Sequence, residues 1–379
     1  MKNVYLDNAA TTPMLPEVVE VVKQSMMGNF GNPSSTHQFG RKAKAAVETA
    51  RKNIAKEFNV SSNEIYFTAG GTEADNLVLY NAVLNIGVTR IVTSKIEHHA
   101  VLHTVEYLQK SYNIEVDYVD VDERGNISLS GLEEILKRSK EKTLVSLMYV
   151  NNEIGNLLPV NDVVLLCEKY QAYFHSDTVQ AIGHYKIDLK KTPIDFIAAS
   201  AHKFHGPKGV GFMYVKKGVP LKPMLHGGNQ EKGVRSSTEN VHAILGMEKA
   251  LSISCEGLEG DKRSIEEVKS YLAGELKTYF KGVEFNGESS DLKKSSYTIL
   301  NVRFPVNEKM LLFNLDLAGV AVSGGSACQS GASKGSHVLS AFLSEEESKK
   351  TSVRFSFSKL TTIQDIDFAI EKIRNSLKL

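Results

Sequence analysis

The chain has 379 residues, 42% of them hydrophobic, and 45 basic against 44 acidic side chains leave a formal charge of +1. That balance argues against a dedicated nucleic-acid surface, no apolar run is long enough for a membrane-crossing helix, and the start, Met1-Lys-Asn-Val-Tyr-Leu-Asp-Asn8, turns polar too soon for a secretory signal. The three cysteines, Cys167, Cys255 and Cys328, form no paired motif and no metal-site spacing, so the expected setting is a reducing cytoplasm and the expected metal content is none.

In chain order, Val4-Tyr-Leu6 is a short apolar piece followed by a polar turn, Asp7 to Pro13. Val18, Val19, Val22 and Met26 then recur at helical spacing. A glycine-rich loop with Gly28, Gly31, Asn32 and Pro33 precedes Ser35 and Thr36, either of which suits the cap of a helix running to about Phe58. Strands are predicted over 65–68, 90–93, 115–119, 144–150, 172–175, 196–199 and 212–215, with helices between most of them near 72–84, 99–110, 129–137 and 160–170. Strands alternating with helices of this length predict an α/β fold: a large, mostly parallel seven-stranded sheet covered on both faces, whose last pair is separated by a loop that permits an antiparallel turn. Apolar helical spacing resumes near Val241, and 264–281 reads as a long amphipathic helix leading into a smaller α+β domain. There, strands are predicted over 296–304, 320–323 and 352–357, and helices over 308–317 and 362–377.

Four polar clusters follow four of the predicted strands: Gly70-Gly-Thr-Glu73, Asn151 and Asn152, Asp177 with Gln180, and Ser200-Ala-His-Lys203. They converge only if the strands are parallel and share a sheet, because ligands then sit at the carboxyl ends. The residue types suit pyridoxal phosphate. Lys203 offers an amine for the cofactor's aldehyde. Asp177 offers a carboxylate for a pyridine nitrogen. Gly71, Thr72 and the helix after them offer an anion cradle, which Ser200 and His202 are close enough in sequence to assist. His98 or His99 offers a ring to stack. Farther on, Val322-Ser-Gly-Gly-Ser-Ala-Cys-Gln-Ser-Gly-Ala-Ser-Lys-Gly-Ser-His337 places Cys328 among glycines and serines, a composition that predicts a flexible segment with an accessible thiol. Arg354 has a planar fork suited to a substrate carboxylate if its strand edge faces the cofactor.

With these residues in view, the sequence resembles the cysteine desulfurases of the class V aminotransferase group, which are fold type I enzymes using pyridoxal phosphate. Its matching motifs run in order through nearly the whole chain: Tyr5-Leu-Asp-Asn-Ala-Ala-Thr-Thr12, Gly31-Asn-Pro-Ser-Ser-Thr-His37, Gly71-Thr-Glu-Ala-Asp-Asn76, Glu97-His98, Val150-Asn-Asn-Glu-Ile-Gly155, His175-Ser-Asp-Thr-Val-Gln180, Ser200-Ala-His-Lys-Phe-His-Gly-Pro-Lys-Gly209 and Arg354-Phe-Ser-Phe-Ser358. The resemblance implies that Lys203 bonds the cofactor and His98 stacks on its ring. It gives the phosphate to Gly71, Thr72, Ser200 and His202, with Thr238 reaching in from the other subunit of a homodimer. Asp177 would meet the pyridine nitrogen, and Asn152 and Gln180 the ring oxygen. Asn32, Asn152 and Arg354 would bind the carboxylate of L-cysteine. Lys203, Cys328 and His98 would be the catalytic residues, with Cys328 taking the substrate's sulfur as a persulfide for a protein acceptor, such as an iron–sulfur scaffold or a tRNA-thiolation protein. The implied division is a large cofactor-binding domain over 15–257 and a small domain of 1–14 and 258–379 carrying the Cys328 loop. Arg235-Ser-Ser-Thr238 and Ser323-Gly-Gly-Ser326 depart from the commoner family patterns. A selenocysteine lyase, or another class V lyase or aminotransferase, is the alternative enzyme. A non-catalytic binding protein on the same fold is the alternative from another class.

Overall fold

The structure is a computed structural model that describes residues 2–138, 140–324 and 335–377. In chain order its strands are β1 (Val4–Tyr5), β2 (Ile65–Thr68), β3 (Arg90–Ser94), β4 (Glu115–Val119), β5 (Thr143–Ser146), β6 (Tyr173–Asp177), β7 (Phe196–Ser200), β8 (Gly211–Val215), β9 (Glu284–Phe285), β10 (Ile299–Arg303), β11 (Val320–Ala321) and β12 (Ser352–Ser356). Seven form one sheet in the order β2-β8-β7-β6-β5-β3-β4. β3 pairs in parallel with β4 and β5, β5 with β6, and β6 with β7. β8 runs antiparallel to both of its neighbours, β7 and β2, so β2 points the same way as β7. The carboxyl ends of β2, β3, β5, β6 and β7 therefore share one edge. The chain builds β3 and β4 on one side before stepping back to β5, and ligands of open parallel sheets bind at such a switch.

Period-two alternation gives the sheet two apolar faces. Ile197, Ala199, Phe212 and Tyr214 enter one core, while Phe196, Ala198, Met213 and Val215 enter the core on the other face. Burial on both faces is why these strands read as unbroken apolar runs. β5 ends earlier than the run 144–150 suggests. Beyond Ser146 the chain keeps hydrogen-bonding its neighbour, with Leu147 N–H donating to His175 O and Tyr149 N–H to Asp177 O.

Helix Gln38–Glu57 starts later than Ser35 or Thr36 would place it. Its cap is His37, whose Nδ1 accepts from Gly40 N–H at 3.3 Å. The amphipathic segment over 264–281 is the second part of one 39-residue helix, Val241–Tyr279, about 58 Å long at 1.5 Å per residue. Val241, Ile244, Met247 and Leu251 pack into the sheet's core, and Ile265, Val268, Leu272 and Leu276 into a separate one. Between them lies a polar, glycine-bearing stretch, Glu256-Gly-Leu-Glu-Gly-Asp261, which breaks the apolar period without breaking the helix.

That second core sits under a small sheet in which β10 pairs antiparallel with β12 and β9, beside a parallel pair of β1 and β11. Helices Leu311–Leu317 and Ile363–Leu377 cover it. The latter begins on a reciprocal cap: Thr362 Oγ1 accepts from Asp365 N–H at 3.2 Å, and Asp365 Oδ2 from Thr362 N–H at 3.1 Å. The whole is the expected α/β architecture with a smaller α+β part. Among the described residues no helix is long and apolar enough to cross a membrane.

Candidate active site

The shared strand edge surrounds a cavity of about 240 Å³. Lys203 enters it from the short turn Ala201–Lys203 that follows β7. Gly206 closes this turn, since a Cβ there would lie 2.8 Å from Ala201 Cβ and 2.9 Å from its carbonyl oxygen. Lys203 Nζ donates to Ala9 O at 2.7 Å and Ala10 O at 2.9 Å. Those carbonyls belong to the amino-terminal segment, which lies across the cavity as a strap. Thr12 Oγ1 donates to His202 O at 2.9 Å and accepts from His205 N–H at 2.7 Å, and Gln180 Nε2 donates to Ala9 O at 2.9 Å.

The floor comes from β6 and from the segment after β3. Asp177, the last residue of β6, is buried, and its Oδ1 accepts from Val179 N–H at 2.9 Å. Burial pushes its carboxyl up, against the opposing pull of His98, the Val179 amide and Lys203. His98 caps helix His99–Tyr112, its Nδ1 accepting from Ala100 N–H at 3.1 Å. The cap fixes the ring and leaves Nε2 as the nitrogen free to carry a proton. Burial lowers the His98 pKa, and Asp177 opposes that fall.

The anion cradle is a backbone feature. Helix Gly71–Asn81 starts at the cavity from Gly70, which has φ +155°. A Cβ on Gly71 would sit 2.5 Å from Val179 Cγ2. Glycine avoids that collision at a helix start that lines the cavity together with Thr72, Ser200 and His202. His202 Nδ1 meets Thr11 Oγ1 at 3.1 Å, and burial, with Lys203 and Lys208 adding to it, lowers its pKa to about 4.

Arg354 also lines the cavity. It is 1% exposed, with Nη1 donating to Asn152 O and Nη2 to Asp7 Oδ1, both at 2.8 Å. Its Nε has no hydrogen-bond partner among the described residues. One prong of the fork is thus held by the strap's own carboxylate.

Gly71, Thr72, His98, Asn152, Asp177, Gln180, Ser200, His202, Lys203 and Arg354 all line this one cavity. Asn32 and Thr238 do not. Asn32 is exposed, and its Oδ1 accepts from Ser34 N–H at 2.9 Å. Cys328 lies outside the described residues. Beyond that stretch, Ser336 Oγ donates to the buried Glu153, and His337 Nε2 meets Glu97 O at 2.9 Å. Ser336 and His337 are thereby fastened to the segments that frame the cavity floor.

The aminotransferase class-V family matches residues 4–368. The chain belongs to that family. A protein of Bacillus subtilis (strain 168) described as putative cysteine desulfurase IscS 1 is 42% identical over 383 residues, covering 100% of this chain and 99% of the relative. The cysteine desulfurase IscS of Methanosarcina thermophila is 40% identical, covering 98% and 91%. Among solved structures, a NifS-like protein superposes with a TM-score of 0.91 at 36% identity, covering 99% of both chains. The structure of SspA in complex with cysteine gives 0.82 at 30%, covering 95% of this chain and 100% of that one. These relatives place the chain among the cysteine desulfurases, a pyridoxal-phosphate group within the family.

The structure adds site residues that motif and strand-end reasoning does not single out. Asp75 lines the cavity from inside the motif Gly71 to Asn76. Its signal is a carboxylate four residues into a helix expected to hold an anion at its start. Ala9 and Ala10 act through main-chain oxygens, for which no side-chain pattern exists.

Proposed function

We propose that this family member uses pyridoxal phosphate to convert L-cysteine to L-alanine, passing the sulfur to Cys328 and from there to a protein acceptor. The observation that carries the reading is the convergence of Lys203, Asp177 and His98 on a cavity that also holds an open helix start and an arginine fork. The cofactor fits these residues: the glycine at Gly71 lets the helix start lie against Val179, where a Cβ would collide with Val179 Cγ2, and the buried Asp177 suits a protonated ring nitrogen.

When bound, the cofactor supplies an electron sink that lets bonds at the amino acid's α-carbon break. Lys203 would hold it and, once freed by substrate, would take the α-proton. Asp177 would keep a proton on the ring nitrogen, and His98 would lie against the ring. Gly71, Thr72, Ser200 and His202 would take the phosphate, while Asn152 and Gln180 would orient the ring oxygen. Arg354, which lines the cavity with its Nη atoms on Asn152 O and Asp7 Oδ1, would receive the substrate carboxylate on its planar guanidinium, helped by Asn152. The net exchange is L-cysteine plus the Cys328 thiol giving L-alanine plus a Cys328 persulfide. One C–S bond breaks, one S–S bond forms, and the substrate's β-carbon gains a proton.

A homodimer is part of this reading. Met26, Met27, Phe30 and Phe39 are more than half exposed, with the Phe30 and Phe39 rings 5.1 Å apart. An apolar surface of this kind suits a second copy, which would bring Asn32 and Thr238 to a site they do not reach in one chain. The separate cores support large and small domains over 15–257 and over 1–14 with 258–379, with the continuous helix Val241–Tyr279 contributing to both cores. The acceptor belongs to thio-cofactor or iron–sulfur synthesis, and a reducing cytoplasm suits the thiol chemistry.

The test is to supply L-cysteine and a reductant to the yellow protein and quantify sulfide and alanine together. Equal amounts, with sulfide lost and colour kept in Cys328→Ala, are expected. Neither product from a coloured protein would overturn L-cysteine as substrate, and product from selenocysteine alone would establish the lyase alternative.

A further inference from the structure

Around Asp177 at the cavity floor lie three buried groups that the roles above do not use, Asp75, Glu97 and His175. Asp75, Glu97, Asp177 and His175 are each at most 5% exposed. Asp75 Oδ1 lies 3.4 Å from His175 Nε2, and neither atom has a hydrogen-bond partner among the described residues. On the other side of the ring, His175 Nδ1 sits 2.9 Å from Ser146 Oγ. Two buried polar atoms that face each other in this way are best completed by a proton between them.

Two arrangements complete the pair. In one, His175 carries its proton on Nε2 and donates to an ionised Asp75. In the other, Asp75 is the acid and donates to a bare Nε2, while Nδ1–H donates to Ser146 Oγ. The surrounding charges decide between them. Asp75 faces Asp177 and His175 from β6 and Glu97 from the segment after β3. The cationic influences, His98 and Lys203, act on Asp177. On Asp75, burial comes first, then Asp177, then Glu97, and all three raise its pKa well above the usual carboxylate range. Burial also drives Glu97 up to about 8 and His175 down to about 3. A neutral ring beside a second anion in this place is the worse arrangement.

We propose that Asp75 is a proton-holding positioning residue: it stays a neutral carboxylic acid, donates its O–H to His175 Nε2, and leaves the negative charge of the floor to Asp177. Two consequences follow for the site. A single carboxylate charge faces the place of the ring nitrogen, where a second would compete for its proton. The start of helix Gly71–Asn81, only four residues from Asp75, also keeps its positive end for the phosphate, where an ionised Asp75 would partly cancel that field. The purpose of the proton rests on the cofactor reading above, but its location is a property of the cofactor-free protein and is tested there.

The experiment has two arms on cofactor-free protein at neutral pH. Infrared difference spectra of wild type against Asp75→Asn should show an un-ionised carboxylic C=O stretch that the variant loses. In wild type, 15N histidine spectra should show His175 with bare Nε2 and protonated Nδ1, the signal being assigned by its loss in His175→Gln. An unchanged carboxylic-acid band, or a protonated Nε2 on His175, overturns the proposal. The nitrogen measurement needs no Asp75 variant, so the proposal stays testable even where Asp75→Asn folds poorly. Pyridoxal phosphate binding adds a third readout. Affinity should stay within about threefold in Asp75→Asn, whereas tightening of about tenfold would mean that an anion had been removed and would also overturn the proposal.

Discussion

The floor and the strap of the cavity hold their polar groups in opposite ways. On the floor, Asp75, Glu97 and His175 have their charged forms suppressed by burial. On the strap side, polar groups meet direct partners: Lys203 Nζ sits on two main-chain carbonyls, and Arg354 joins Asp7 and Asn152 O. The floor is thus set by its dielectric surroundings and the strap by geometry. Changes to the floor should appear first in pH profiles, and changes near the strap in binding and turnover.

The largest effect that would break this division is at Lys203. Lys203→Ala should lower turnover by roughly 10⁴-fold or more and abolish the visible band, with little loss of thermal stability, because its contacts are carbonyls that water can also satisfy. A steady-state assay alongside an absorbance spectrum checks it. Next is Arg354→Lys, which keeps the charge and loses the fork. It should raise KM for cysteine roughly 10- to 100-fold while the cofactor's absorbance stays unchanged. Loss of the cofactor instead would show that Arg354 works through the strap's fastening to the site.

Gly71→Ala tests the cradle. With Val179 Cγ2 only 2.5 Å from the new Cβ, the variant should lose about 1–3 kcal/mol in denaturant unfolding and bind cofactor more weakly. The smallest effects are in pH. Burial lowers the folded-state pKa of His175 to about 3, and of His184 and His202 to about 4, from an ordinary 6.5. The stability that these rings contribute is therefore complete above pH 6.5 and is lost as pH falls through 6.5 toward 4 and 3. His184→Gln should flatten the acid limb of a melting-temperature profile in that window. Glu97 has the opposite sign: raised from 4.5 to about 8, its contribution is complete below pH 4.5 and is lost as pH rises to about 8. Glu97→Gln should flatten that decline. Parallel profiles for wild type and either variant would contradict the burial account.

The strand-end residues are far more legible in the sequence than the strap's contacts. Asp177, Lys203 and Asn152 each stand at or just past the end of an apolar strand, and a parallel sheet gathers such ends by construction. Even the reversal of β8 leaves that edge intact. The strap's contacts instead join residues 194 apart for Lys203 with Ala9 and 347 apart for Arg354 with Asp7. The first uses a main-chain oxygen that any residue type would supply. Helix Val241–Tyr279 reads as two pieces in the sequence because its polar middle lies between the two cores and needs no apolar face. Asn32 and Thr238 enter through motif resemblance, and within one chain neither lines the cavity.

The measurement that tests the central claim most directly is to reduce the yellow protein with borohydride and map the modified peptide by mass spectrometry. The account predicts a pyridoxyl phosphate adduct on Lys203, absent from Lys203→Ala. An adduct on another lysine, or none from a protein that has bound the cofactor, would contradict it.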